Sequence, residues 1–141
     1  ASTAIPAVFE PVAWRGEDLV DGGVANNTPI SHVIELGART VYVLPTGYAC
    51  ALEEPPRSAL GTGLHALTLL IQQRLIFEIT TLRTRARLVV LPPPCPLHLS
   101  PADFTCSAEM IERARNDART FLDAIGPGSA YPPTMLAMHR H

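Results

Sequence analysis

Aromatic residues make up only 6% of this 141-residue chain, so it offers no platform of rings on which bases could stack. Its 11 Lys and Arg face 13 Asp and Glu, and a net charge of −2 lacks the basic excess of a nucleic-acid surface. No long hydrophobic run is present. The most apolar stretch, Leu64 to Ile79, is broken by Gln72, Gln73, Arg74 and Glu78, and is too short and polar to span a bilayer. That stretch also lacks the Lys/Arg-rich polar face of a membrane-surface helix. Cysteine is sparse and odd in number: Cys50, Cys95 and Cys106 form no Cys-x-x-Cys. This usage fits a reducing compartment, so a cytoplasmic location is expected, with peripheral membrane contact as the alternative. Cys95-x-x-His98 with Cys106 has no evident fourth ligand, and no metal or cofactor is expected. No P-loop, dinucleotide fingerprint, internal repeat or secretory leader is visible.

What is present is enough for a core: 47% of the residues are hydrophobic. Residues 8–14 read as a broken strand, residues 15–18 as a hairpin turn, and residues 17–21 as the returning strand. Residues 30–36 read as a short helix with Ile30, Val33, Ile34 and Leu36 inward and Gly37 as its stop. Residues 40–44 and 87–91 are near-continuous apolar runs ended by proline, as expected of buried parallel strands. Between them, Ser58 caps a long helix running to Leu82, apolar enough to be buried on more than one side. A last amphipathic helix runs from Ser107, as N-cap, to Ile125. Strands alternating with helices predict an α/β fold with a mostly parallel sheet and crossover helices. Residues 1–126 would be folded, and residues 127–141 a loose tail.

The stretch with chemical content is Leu19 to Pro29. Two apolar residues lead to Asp21 at a strand end. Gly22 and Gly23 follow, which permit positive φ and close approach to the carboxylate. Asn26 and Asn27 read as turn residues, with Thr28 as N-cap and Pro29 as first residue of the next helix. On spacing alone, Asp21 reads more readily as a structural Asp closing a tight turn than as a catalytic group. His32 and His65 read as helix-surface or core histidines.

Three blocks in order, residues 1–9, 19–23 and 26–29, resemble the second half of a patatin-like phospholipase. The resemblance is tight to about residue 47 and loose beyond. It implies a three-layer α/β acyl hydrolase with a Ser–Asp dyad, acting on carboxylic esters of lipids, and it makes Asp21 the catalytic base. Gly22, Gly23, Asn26, Asn27, Thr46 and Gly47 become candidates for substrate or oxyanion contacts. In such a dyad the serine hydroxyl loses its proton to a carboxylate held within hydrogen-bond reach, so position does the work that an imidazole would otherwise do.

The chain departs from the family pattern in two respects: it contains no Gly-x-Ser-x-Gly, and it has no glycine-rich loop near its start to supply an oxyanion hole. The resemblance therefore implies a C-terminal portion of the domain, inactive alone, whose nucleophile and oxyanion donors belong to an N-terminal half. The expected partners are that half and a lipid ester. The alternative is a non-catalytic folded remnant, or an interaction module that self-associates through surfaces the other half would cover.

Overall fold

The computed structural model describes residues 1–6, 8–46, 56–95 and 104–132. Gly47, Cys50 and His98 lie outside these residues, as do His139 and His141.

The chain opens with a tight turn in which Ala4 N–H donates to the Ala1 carbonyl. Two short strands follow, β1 (Val12–Trp14) and β2 (Glu17–Leu19), paired antiparallel with Val12 opposite Leu19. Arg15 and Gly16 make the hairpin turn at φ 51° and 84°. Positive φ at both central residues gives the turn the twist that a two-residue hairpin needs. The strand read over residues 8–14 survives only from Val12.

Past Asp21 the expected open turn is instead one turn of helix, α1 (Gly23–Asn26). Helix α2 (Ile30–Glu35) follows and is stopped by Gly37 at φ 98°. Its start differs from the expectation. Pro29 takes the N-cap position at φ −77° and ψ 64°, with no side-chain cap. Ile30 N–H reaches the Thr28 carbonyl at 2.8 Å, closing an inverse γ-turn around Pro29, so Thr28 contributes its backbone rather than its hydroxyl. Of the residues expected inward, Ile30 is buried and Ile34 packs on the core, while Val33 and Leu36 are exposed.

Strands β3 (Thr40–Val43) and β4 (Arg87–Val90) pair in parallel, Val41 against Leu88 and Val43 against Val90. Helix α3 (Ala59–Leu82) is the crossover between them, and its Ser58 cap accepts Gly61 N–H at 3.0 Å. The fold is thus mixed α/β around a parallel pair, as the alternation of strands and helices predicts. The core is Ile30, Val41, Val43, Leu75, Ile79, Leu82, Leu88 and Val90. Full burial of such side chains is worth about 1.5–3 kcal/mol each.

Two expectations fail for reasons of packing. Helix α3 is buried only toward its C-terminal end; Leu64, Leu70 and Phe77 are exposed because sheet and α2 reach only one side of it. Helix α4 (Ser107–Ala124) buries none of its residues fully, and Cys106, not Ser107, is its N-cap. The Ser107 hydroxyl turns back to the Phe104 carbonyl. Of the expected tail, residues 127–132 are described, and with Gly126 they lie along β4. Ala130 pairs with Val89 in parallel, Arg87 donates to the Gly126 and Gly128 carbonyls, and Pro132 is buried.

Candidate functional site

The hairpin delivers Asp21 to the point where extended backbone becomes helix. Asp21 N–H donates to the Ala4 carbonyl at 3.0 Å, and Ala4 is 4% exposed, which fits its small side chain. The first and second sequence blocks therefore meet in space. The Asp21 carboxylate, half-buried, accepts Gly23 N–H on Oδ1 at 2.8 Å. The Asp21 carbonyl accepts Val24 N–H at 3.3 Å. Asp21 thereby closes the first turn of α1 with its side chain, an Asx turn that also fixes the carboxylate plane. Oδ2 makes no hydrogen bond among the described residues and is the oxygen available to take a proton.

Of the two properties expected of the glycines, close approach to the carboxylate is found, at Gly23, and positive φ is not. Gly22 has φ −64°, and neither it nor Gly23 is in the left-handed region, which only Gly16 and Gly37 occupy among the described glycines. Gly23 is needed for closeness. A Cβ there would stand 2.8 Å from Asn27 Oδ1 and 3.0 Å from Asp21 Oδ1. A Cβ on Gly22 would meet nothing.

Asn26 and Asn27 diverge. Asn27 lays its side chain beside Gly23. Asn26 turns inward and donates from Nδ2 to Glu78 Oε1 at 2.8 Å, across 52 residues of chain. Thr46 stands exposed past the end of β3, and no hydrogen bond joins it to the Asp21 turn among the described residues. Gly47 lies outside those residues.

Glu78 is the residue that the spacing argument missed. In sequence it merely interrupts an apolar run. In the fold it is 2% exposed, the one buried polar or charged residue among those described. Its Oε1 accepts Asn26 Nδ2, the Ser31 hydroxyl at 3.0 Å and Arg74 at 3.0 Å; its Oε2 accepts Ser31 N–H at 3.2 Å. Burial pushes its carboxyl up, but the bonds from Ser31, Asn26 and Arg74 more than offset this and hold it below its ordinary value. Arg74, four residues earlier on α3, supplies the charge partner. The only sequence signal was an acidic residue on an apolar helix four places after an Arg.

No group of three or more His, Cys, Asp or Glu is placed to hold a metal among the described residues. No helix among them is long and apolar enough to cross a membrane. A family model described as patatin-like phospholipase matches residues 1–34. The match covers the hairpin, the Asp21 turn, α1 and most of α2, and it stops short of Thr46. It is a likeness, at this coarse level, to a family of lipid acyl hydrolases. A search of curated proteins finds no match.

Proposed function

We propose that the chain is the base-bearing, C-terminal portion of a patatin-like serine acyl hydrolase acting on carboxylic esters of lipids. One observation carries this reading. Within the matched segment, the Asp21 carboxylate is oriented by Gly23 N–H at a strand-to-helix turn, with Oδ2 left to receive a proton. A serine hydroxyl brought to Oδ2 would lose its proton to Asp21 as it attacks the ester carbonyl. The protonated Asp21 would hand that proton to the departing alkoxide, which leaves as the alcohol; the carboxylate so regenerated would then take a proton from the water that attacks the acyl-enzyme and return it to the serine oxygen as the fatty acid leaves. Because the chain has no Gly-x-Ser-x-Gly, the serine and oxyanion donors are assigned to polypeptide outside these residues.

The test is Asp21→Asn in the full-length protein assayed on a p-nitrophenyl ester. Turnover should be lost while the fold is kept; retained turnover refutes the base. The 141-residue chain alone should not be phosphonylated by a fluorophosphonate at any active serine, and labelling there would overturn the division of labour.

A second reading, a non-catalytic module that self-associates, draws on the exposed apolar side chains Phe9, Trp14, Leu44, Leu70 and Phe77. It is told from the first by the polypeptide preceding Ala1: a Gly-x-Ser-x-Gly there favours the enzyme.

A further inference from the structure

Glu78 has no place in the reaction just described, yet it occupies an expensive position. Its neighbours on α3 are Leu75, Ile79 and Leu82, all buried. An apolar residue would pack there without the cost of desolvating a carboxylate. The carboxylate is kept because of what it holds.

Helix α1 is a single turn, which has no stability of its own in water. It is tied at both ends. At its start the Asp21 carboxylate holds Gly23 N–H; at its end Asn26 Nδ2 is held by Glu78 Oε1. The Asn26 amide cannot flip, since a carboxylate only accepts. Its Oδ1 is left buried with no partner among the described residues. A buried acceptor left unpaired is unfavourable, so the amide's orientation is imposed by Glu78 and not chosen by its surroundings. The same carboxylate holds Ser31 through both its N–H and its hydroxyl. The turn after Asp21 is thus clamped to α3, which is anchored in the core.

We infer that Glu78 is a positioning residue, acting through Asn26 to hold α1, and with it the Asp21 carboxylate, in register for proton transfer. This rests on Asp21 being the base, but the geometric half can be tested without it. In the 141-residue chain, amide exchange at Gly23 reports whether Asp21 still grips α1, and exchange at Val89 and Val90 reports the core. Asn26→Ala removes the link to α1 and leaves the Glu78–Ser31 bonds in place. It should speed exchange at Gly23 by about tenfold or more, relative to the core, with Ser31 still protected. Glu78→Gln keeps the side chain's volume but leaves one neutral acceptor oxygen in place of two charged ones, so it cannot accept from both Ser31 N–H and Asn26 as the carboxylate does. It should speed exchange at both Gly23 and Ser31 while Val89 and Val90 stay protected. Unchanged Gly23 exchange in both variants overturns the inference and reduces Glu78 to a cap on α2.

In the full-length hydrolase, either variant should lower kcat by about 10- to 100-fold with KM little changed, as misplacement of a reacting group does. Equal loss in KM would mean a binding role and overturn it. If Asp21→Asn leaves turnover intact, the base assignment fails while the Gly23 result still stands, so the two failures are distinguishable.

Discussion

Gly22 and Gly23 stand side by side and answer to different constraints. Gly22 has a helical φ of −64° and open space around its Cα. Gly22→Ala should therefore change stability by no more than about 0.5 kcal/mol, as measured by thermal melting. At Gly23 a methyl would press on the Asn27 and Asp21 side chains. Exposed Asn27 can turn away, but Asp21 can yield only by rotating its carboxylate off the Gly23 N–H. Gly23→Ala should cost stability about 1 kcal/mol or less. On the proposed function it should also reduce kcat of the full-length protein roughly 100-fold, because the carboxylate is what moves. Glu78 brings a pH dependence at the same scale. Its carboxyl in the folded chain sits below the ordinary 4.5, so the unfolded chain binds that proton more readily. The stability contributed by ionised Glu78 is full above about 4.5 and is lost as pH falls through its lowered folded value. Arg74 is its ion-pair partner, and His32, beside Ser31, is at the edge of the network. The melting temperature should fall as the pH drops below 4.5, and Glu78→Gln should flatten that fall. A variant with the wild-type slope would remove Glu78 as its source.

Among the elements, the boundaries of α3, β3 and β4 follow from local rules. Ser58 caps, a run of straight-chain and branched apolar residues continues, and proline ends the strand region that follows. The segment 126–132 follows no such rule. Its composition, rich in Gly, Pro and Ser, reads as coil, and coil it is. It is nonetheless an edge to β4, through Ala130 and through the Ser129 hydroxyl that accepts Leu88 N–H at 3.0 Å. Tyr131 packs on the core beside it. A chain ending at Ile125 should be destabilised by about 2 kcal/mol or more, since it loses ladder bonds and the cover over Leu88 and Val89. Urea unfolding would show this as a lower midpoint; an unchanged midpoint would mean that the segment only rests on the sheet.

At the scale of the molecule, the core is small and one-sided. Among the described residues two pairs of strands make two separate two-stranded sheets, and such sheets are marginal without a covering layer. Tyr42 and Leu44 alternate with buried Val41 and Val43 and so mark the uncovered face of β3. Phe9 and Trp14 add apolar surface beside the Asp21 hairpin, and Arg15 stacks on Trp14 at 5.5 Å. Surface of this kind drives association. The isolated chain should therefore show concentration-dependent self-association at micromolar levels in sedimentation velocity. A single monomeric species across that range would show that these side chains are tolerated in water.

Much of this was legible in the residues themselves, because it depends on neighbours in the chain. The hairpin at Arg15–Gly16, the stop at Gly37, the cap at Ser58 and the parallel α/β alternation all arise from φ preferences and hydrophobic period. The Asp21 motif was legible for the same reason: its glycines and asparagines are contiguous. The tertiary structure alone decided what those residues do. It placed the close approach at Gly23 alone and gave neither glycine a left-handed φ, and it bonded Asn26 to a residue 52 positions away. It also made Glu78, an interruption in a hydrophobic pattern, the clamp behind the carboxylate. No local rule foresees this buried charge, since Arg74 on its own helix meets only part of its cost and the remaining donors are brought by the fold from α1 and α2.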